Sequence, residues 1–309
     1  MLGHIRHREA EVPMLPHPTS HPQIDSQSRN ISWTNTLVEG RAASYGVAGT
    51  GAPVVFLHGF GLTPRSYERA LLRMASQGVR VYAPALPGFG GTAELPERER
   101  NLAGYARWLG GFLDSISVAG PVTVIGHSFG GGVAIQSAHD LGPRVARLVL
   151  VNSVGGAAWS PSGGGVRPIG ERPLWDWCAA ATVDALAIRP SAAGMLAITA
   201  DAVGNLLRNP LAIWRLAHLA RTADLRGELD ELAERGLPVT LLWGCDDTFI
   251  PRASFESLCS ALRNPTVVTV AGSHGWLIDD PHGFGTAMAT VLDAGQGNAE
   301  PMARAGARS

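Results

Sequence analysis

The sequence predicts an α/β fold with a parallel sheet covered on both faces, and three observations carry that prediction. Short β-branched apolar runs recur along the chain, each bounded by Gly or Pro. Helical stretches separate several of them, which is the pattern of parallel strands joined by crossovers. The chain has 309 residues of which 45% are hydrophobic, enough for one large core plus an insertion, or for two small domains.

Ile31–Glu39 and Arg41–Val47 read as a leading antiparallel hairpin. The buried-strand runs are then Pro53–Leu57, Val79–Ala83, Pro121–Ile125, Arg147–Val151, Pro238–Trp243 and Pro265–Val270. Leu102–Ser117 and Val133–His139 are helical stretches between them. From 152 to 237 no convincing strand is present. That stretch opens on a Gly/Ser/Pro loop, Ser160–Gly165, and continues as Ala/Leu-rich helical sequence holding Trp175, Trp177 and Trp214. Residues 154–236 therefore read as a helical insertion on a core formed by 31–153 and 237–294. Residues 1–30 and 295–309 are expected to be disordered tails, too poor in apolar residues to pack. His4, His7, His17 and His21 fall in the first tail and read as part of a flexible segment rather than a metal site.

Composition excludes several function classes. The formal net charge is −1 and no basic stripe is present, which argues against nucleic-acid binding. The run Glu97–Arg100 alternates in sign and reads as a solvated helix start. Three Cys, at 178, 245 and 259, form no C-x-x-C, so neither a disulfide framework nor a thiolate zinc site is expected. That usage fits a reducing, cytoplasmic setting. No apolar run approaches the roughly 18 residues of a membrane span, and the N-terminal residues lack the apolar stretch of a secretory signal.

The chemistry concentrates at strand ends. Gly126-His127-Ser128-Phe129-Gly130 follows one strand run and precedes a helix, a turn that presents Ser128 at the sheet edge near a helix N-terminus. A serine hydroxyl needs a general base, and the base needs an orienting partner. His274 lies directly after the last strand run, in Ala271–Trp276. Asp246 and Asp247 both follow the preceding strand. The order Ser, Asp, His places all three at the C-terminal edge of the sheet. Backbone N–H donors for an oxyanion are available at Phe129, after the nucleophile, and at Phe60, in His58-Gly59-Phe60-Gly61. His58 is expected to tie that loop down, and His127 to serve packing.

These stretches resemble the α/β-hydrolase superfamily, and most closely its capped serine esterases: HGFG at 58–61, PGFGGT at 87–92, GHSFGG at 126–131, LLWGCDDTFIP at 241–251 and AGSHGWLIDDP at 271–281. The resemblance implies an α/β-hydrolase fold, with an eight-stranded, mostly parallel sheet, helices on both faces and a helical cap over the site. It implies no cofactor and no metal. It favours Asp247 over Asp246 as the acid, because the family places that acid four residues before a Pro, here Pro251. Some relatives carry the acid after the Arg147–Val151 strand, where this chain has Asn152. Ala85 and Thr92 depart from the Asp and Ser common in the second motif, so altered loop support is expected there. The implied activity is hydrolysis of a carboxylic ester or related acyl substrate through an acyl-enzyme. A C–C bond hydrolase, a perhydrolase or an acyltransferase would use the same triad, and a non-catalytic small-molecule-binding protein would use the same fold. The apolar insertion favours a hydrophobic acyl or aryl group.

Overall fold

The computed structural model describes residues 30–161, 164–187, 199, 201, 203–205, 210–263 and 265–296. Apart from their junctions with the core, the two expected tails lie outside the described residues. The strands are β1 (Ser32–Val38), β2 (Arg41–Ala48), β3 (Ala52–Leu57), β4 (Val79–Pro84), β5 (Val122–His127), β6 (Val145–Val151), β7 (Ala158–Trp159), β8 (Arg167–Pro168), β9 (Val239–Gly244) and β10 (Thr266–Val270). The helices are α1 (Glu68–Ala75), α2 (Leu102–Ser115), α3 (Phe129–Leu141), α4 (Leu174–Ala187), α5 (Pro210–Thr222), α6 (Arg226–Glu234), α7 (Arg252–Ala261), α8 (Trp276–Asp279) and α9 (Pro281–Gln296).

The main sheet has eight strands in the order β1-β2-β4-β3-β5-β6-β9-β10. β2 pairs antiparallel with β1 and β4, and every other pairing is parallel. The central strands are apolar on both faces because both faces are covered. Val55, Leu57, Val124, Leu148, Leu150 and Leu241 pack beneath α2, α3, α6 and α7. Their alternates Val54, Phe56, Ile125, Val149, Val151 and Leu242 pack on α1, α8 and α9. This alternation with a period of two fixes strand register and aligns the strand ends.

The β6–β9 connection leaves the core and returns to it at one point. Gly155 and Gly156 bridge to Asp224, and the Leu225 N–H donates to the Gly155 carbonyl at 3.0 Å. Between these points lie α4, α5 and the short β7–β8 ladder, which the sequence did not signal because each of its strands has only two residues. Beyond them α6 buries Leu229 and Leu232 against the core. The last helix of the 154–236 stretch therefore packs with the core helices. Among the described residues no helix is long and apolar enough to cross a membrane.

Candidate active site

The Gly126–Gly130 turn is built by close backbone approach. Ser128 stands between β5 and α3 at φ 55°, ψ −119°, a conformation that costs a non-glycine residue of order 1–3 kcal/mol and survives only when its surroundings enforce it. Its N–H donates to the Val151 carbonyl at 3.0 Å, and its carbonyl accepts from Gly131 and Val154. A Cβ at Gly126 would lie 2.3 Å from the Gly130 carbonyl, and one at Gly130 would lie 2.2 Å from the Leu57 carbonyl. Only glycine at both positions lets the turn close and bring the β3 exit loop against the start of α3. Phe129 heads α3, where first-turn amides lack intrahelical partners and the helix dipole is positive. Phe60 sits in the loop that Gly130 contacts.

The structure brings Ser128, His274 and Asp247 together. His274 Nε2 lies 2.9 Å from Ser128 Oγ, and His274 Nδ1 lies 2.9 Å from Asp247 Oδ2. A carboxylate only accepts, so Nδ1 carries the hydrogen and Nε2 is free to accept from the serine. Asp247 Oδ1 accepts from the backbone N–H groups of Phe249 at 2.8 Å and Ile250 at 2.9 Å. Burial alone would raise the Asp247 carboxyl, but the charge and hydrogen bond of His274, with the Asn152 amide and Ile250 N–H, hold it below the ordinary carboxylate value. Burial would likewise lower His274, yet Asp247 and then Asp184 outweigh it and hold its pKa above the ordinary value. Asp246 has a different role. It is exposed, and its carboxylate accepts the Gly272 N–H at 3.2 Å, pinning the loop that carries His274.

The partners that hold Ser128, His274 and Asp247 in place include residues whose part the sequence did not reveal. Asn152 occupies the position of an alternative acid and instead braces the acid that is present. Its Nδ2 donates to Asp247 Oδ2 at 2.5 Å, and its Oδ1 accepts from Gly244 N–H at 3.2 Å and Trp276 Nε1–H at 3.0 Å. His127 does more than pack. Its Nε2–H donates to the His274 carbonyl at 2.9 Å, and its Nδ1 accepts from the Tyr67 hydroxyl at 2.9 Å. Tyr67 in turn accepts the Gly59 N–H at 3.1 Å, so one relay ties the Phe60 loop to His274. Burial and then the charge of His274 push His127 down to about 3, which keeps it neutral. The His274 ring lies between His127 and Phe249, with centroids 4.9 and 4.8 Å away. The His274 backbone N–H donates to Asp184 Oδ1 of α4 at 2.6 Å.

His58 does tie its loop: its Nδ1–H donates to the Gly59 carbonyl and its Nε2 accepts the Leu86 N–H, both at 2.9 Å. Burial lowers it to about 4, so it stays neutral too. Thr92 Oγ1 accepts the Ser44 N–H at 3.1 Å. Asn205 bridges the same loops, accepting from Gly90 N–H at 3.4 Å and donating to the Gly61 carbonyl at 3.0 Å. A cavity of about 300 Å³, lined in part by Trp33, Thr63, Arg65 and Asp201, lies beyond the Phe60 loop. Ser128 itself is only 4% exposed. Among the described residues no cluster of His, Cys, Asp and Glu is arranged to hold a metal ion.

An eight-stranded, mostly parallel sheet with a serine at a strained strand-to-helix turn defines the α/β-hydrolase class. Residues 54–287 match the Alpha/beta hydrolase family, and the chain belongs to that family. It is similar to the pimeloyl-[acyl-carrier protein] methyl ester esterase of Aromatoleum aromaticum, at 31% identity over 68% of this chain and 85% of that one. A 2-hydroxy-6-oxo-2,4-heptadienoate hydrolase of Pseudomonas putida is 35% identical over a shorter match, 35% of this chain and 39% of that one. The crystal structure of a bromoperoxidase from Bacillus anthracis shares the fold, with a TM-score of 0.66 and 21% identity, covering 85% of this chain and 100% of that one. Hydrolases are among its relatives and structural neighbours, and the protein is an α/β-hydrolase enzyme.

Proposed function

We propose that this enzyme is a serine hydrolase that cleaves a carboxylic ester or related acyl substrate through an acyl-enzyme on Ser128. The observation that carries this reading is the unbroken line from Ser128 Oγ through His274 to Asp247, with both links at 2.9 Å. Ser128 Oγ attacks the carbonyl carbon while His274 Nε2 takes its proton. The bond to the leaving alcohol breaks as His274 returns that proton. Water, deprotonated by His274, then attacks the acyl carbon, and the bond to Ser128 Oγ breaks as His274 returns the proton to that oxygen, releasing the acid and restoring the serine. Asp247 keeps Nδ1 protonated and stabilises the imidazolium. The N–H groups of Phe60 and Phe129 receive the oxyanion.

The part of the β6–β9 connection between Gly156 and Asp224 acts as a cap, and substrate reaches the buried Ser128 when it moves. The Phe249 ring beside His274, with Trp177 against it at 5.2 Å, makes an aromatic wall that favours a hydrophobic acyl or aryl group. The three cysteines are free thiols, which supports a reducing, cytoplasmic setting.

The test is a p-nitrophenyl ester series of graded chain length with an aryl series alongside. A burst followed by steady turnover is expected. A fluorophosphonate should label Ser128, located by peptide mass spectrometry, and Ser128→Ala should abolish both. Full activity in Ser128→Ala overturns the reading. Ligand binding without turnover, untouched by that substitution, would make the protein a binding module. Peroxide and alcohols offered against water, and a β-diketone-like substrate, separate ester hydrolysis from perhydrolysis, acyl transfer and C–C cleavage on the same triad.

A further inference from the structure

Each loop of the site receives a polar side chain from the β6–β9 connection. Arg172, only 4% exposed, donates to the Phe249 carbonyl at 2.6 Å and the Thr248 carbonyl at 3.3 Å in the loop of Asp247. Its guanidinium lies 4.3 Å above the Trp177 ring, and Asp176 accepts from its Nε at 2.5 Å. Asp201 accepts from Thr63 Oγ1 at 2.5 Å and Ser66 Oγ at 2.7 Å, next to the loop of Phe60. Asp184 accepts from the His274 N–H at 2.6 Å.

Asp184 is the most telling of these. Trp177, Ala180 and Asp184 share one face of α4, at helical spacing, and Asp184 is 8% exposed on it. Packing alone would favour an apolar residue there, because burying a carboxylate is costly unless it is hydrogen-bonded. Its partner is a buried N–H that would otherwise be stranded. That N–H belongs to the proposed base itself.

We propose that Asp184 is a positioning residue for His274: delivered by α4, its carboxylate fixes the backbone of the base and sets a second negative charge beside the imidazole. The base is then fully placed only while the connection is closed over the core, so closure and catalytic alignment are one event. This rests on His274 being the base. Among the described residues, the charges that act on its imidazole are Asp247 from the β9–α7 loop and Asp184 from α4, and the His127 ring from the end of β5 lies against it. His127 remains neutral, so among the described residues removing the Asp184 charge leaves Asp247 as the anion acting on the imidazole.

The experiment compares Asp184→Asn, which keeps an acceptor and loses the charge, with Asp184→Ala, which loses both. Rates are normalised to fluorophosphonate-titratable Ser128. With Asp184→Asn, the acid limb of kcat/KM moves to lower pH while KM is retained. With Asp184→Ala, the same shift appears and kcat falls on the order of tenfold, as for a base displaced by a fraction of an ångström. The His274 imidazole pKa, followed by nitrogen-detected NMR, falls in both variants. That signal needs no turnover, so it tests Asp184 even if the protein proves not to be an esterase. If Asp184→Ala does not fold, Asp184→Asn decides the matter. An unmoved imidazole pKa and acid limb, or a loss of thermal stability with unchanged kcat, would overturn the proposal.

Discussion

Replacing Asn152 by Ala tests whether the proposed triad of Ser128, His274 and Asp247 is held by its neighbours or only by its own hydrogen bonds. Asn152 sits at φ 45°, a left-handed conformation that Asn adopts readily and Ala does not, worth about 1 kcal/mol. The substitution strands two buried donors, the Gly244 N–H and the Trp276 indole N–H, at about 1–3 kcal/mol each. A water entering the vacated space would satisfy one of them, leaving a net loss near 3 kcal/mol. That is a large share of the about 5–15 kcal/mol that holds a typical native protein. Asp247 keeps His274, Phe249 and Ile250 as donors, so it stays ionised at neutral pH but loses the lateral brace on Oδ2. A fall in kcat/KM on the order of tenfold follows from its misplacement. Urea unfolding and ester kinetics on the same preparation measure both quantities. A stability loss below about 1 kcal/mol with unchanged kcat/KM would refute the reasoning, because Gly244, Trp276 and Asp247 would then need no Asn152.

Two further outcomes follow from the same geometry. His274 is held above its ordinary 6.5 and, as the proposed base, must be neutral to accept a proton, so kcat/KM should rise with pH through a midpoint above 6.5. Its stabilising contribution is complete below the unfolded value and is lost as pH rises through the raised folded value. Asp247, held below 3.8, behaves oppositely: its contribution is present above 3.8 and lost as pH falls through the depressed folded value. A midpoint at or below 6.5 in the kinetic profile would contradict the raised His274. Tyr67→Phe should remove the acceptor for Gly59 N–H and the donor to His127 Nδ1, costing about 1–3 kcal/mol in urea unfolding. Because Gly59 precedes Phe60, kcat should fall more than KM rises; an equal effect on both would place the relay outside the reaction.

The sequence makes the sheet readable because a strand buried on both faces must be apolar throughout, and Val54–Leu57 or Leu148–Val151 leave no other reading. Ser128, Asp247 and His274 are readable for a related reason: each stands at a strand end, and the topology brings strand ends to one edge. The strained turn adds its own mark, since Gly126 and Gly130 are spaces that a backbone carbonyl already occupies. What holds these three side chains together is much less visible. Asn152 carries no charge and no motif, and its value comes from three partners on β9, its following loop and α8. Tyr67 lies 60 residues from His127, and only folding puts them in line. Arg172 and Asp184 look like ordinary helix charges in a stretch whose surface and interior faces are hard to tell apart. One local signal does exist for Asp184: with Trp177 and Ala180 at helical spacing it is a carboxylate on an otherwise apolar face. A charge placed where burial is costly implies a partner waiting across the interface, and here that partner is the amide of His274.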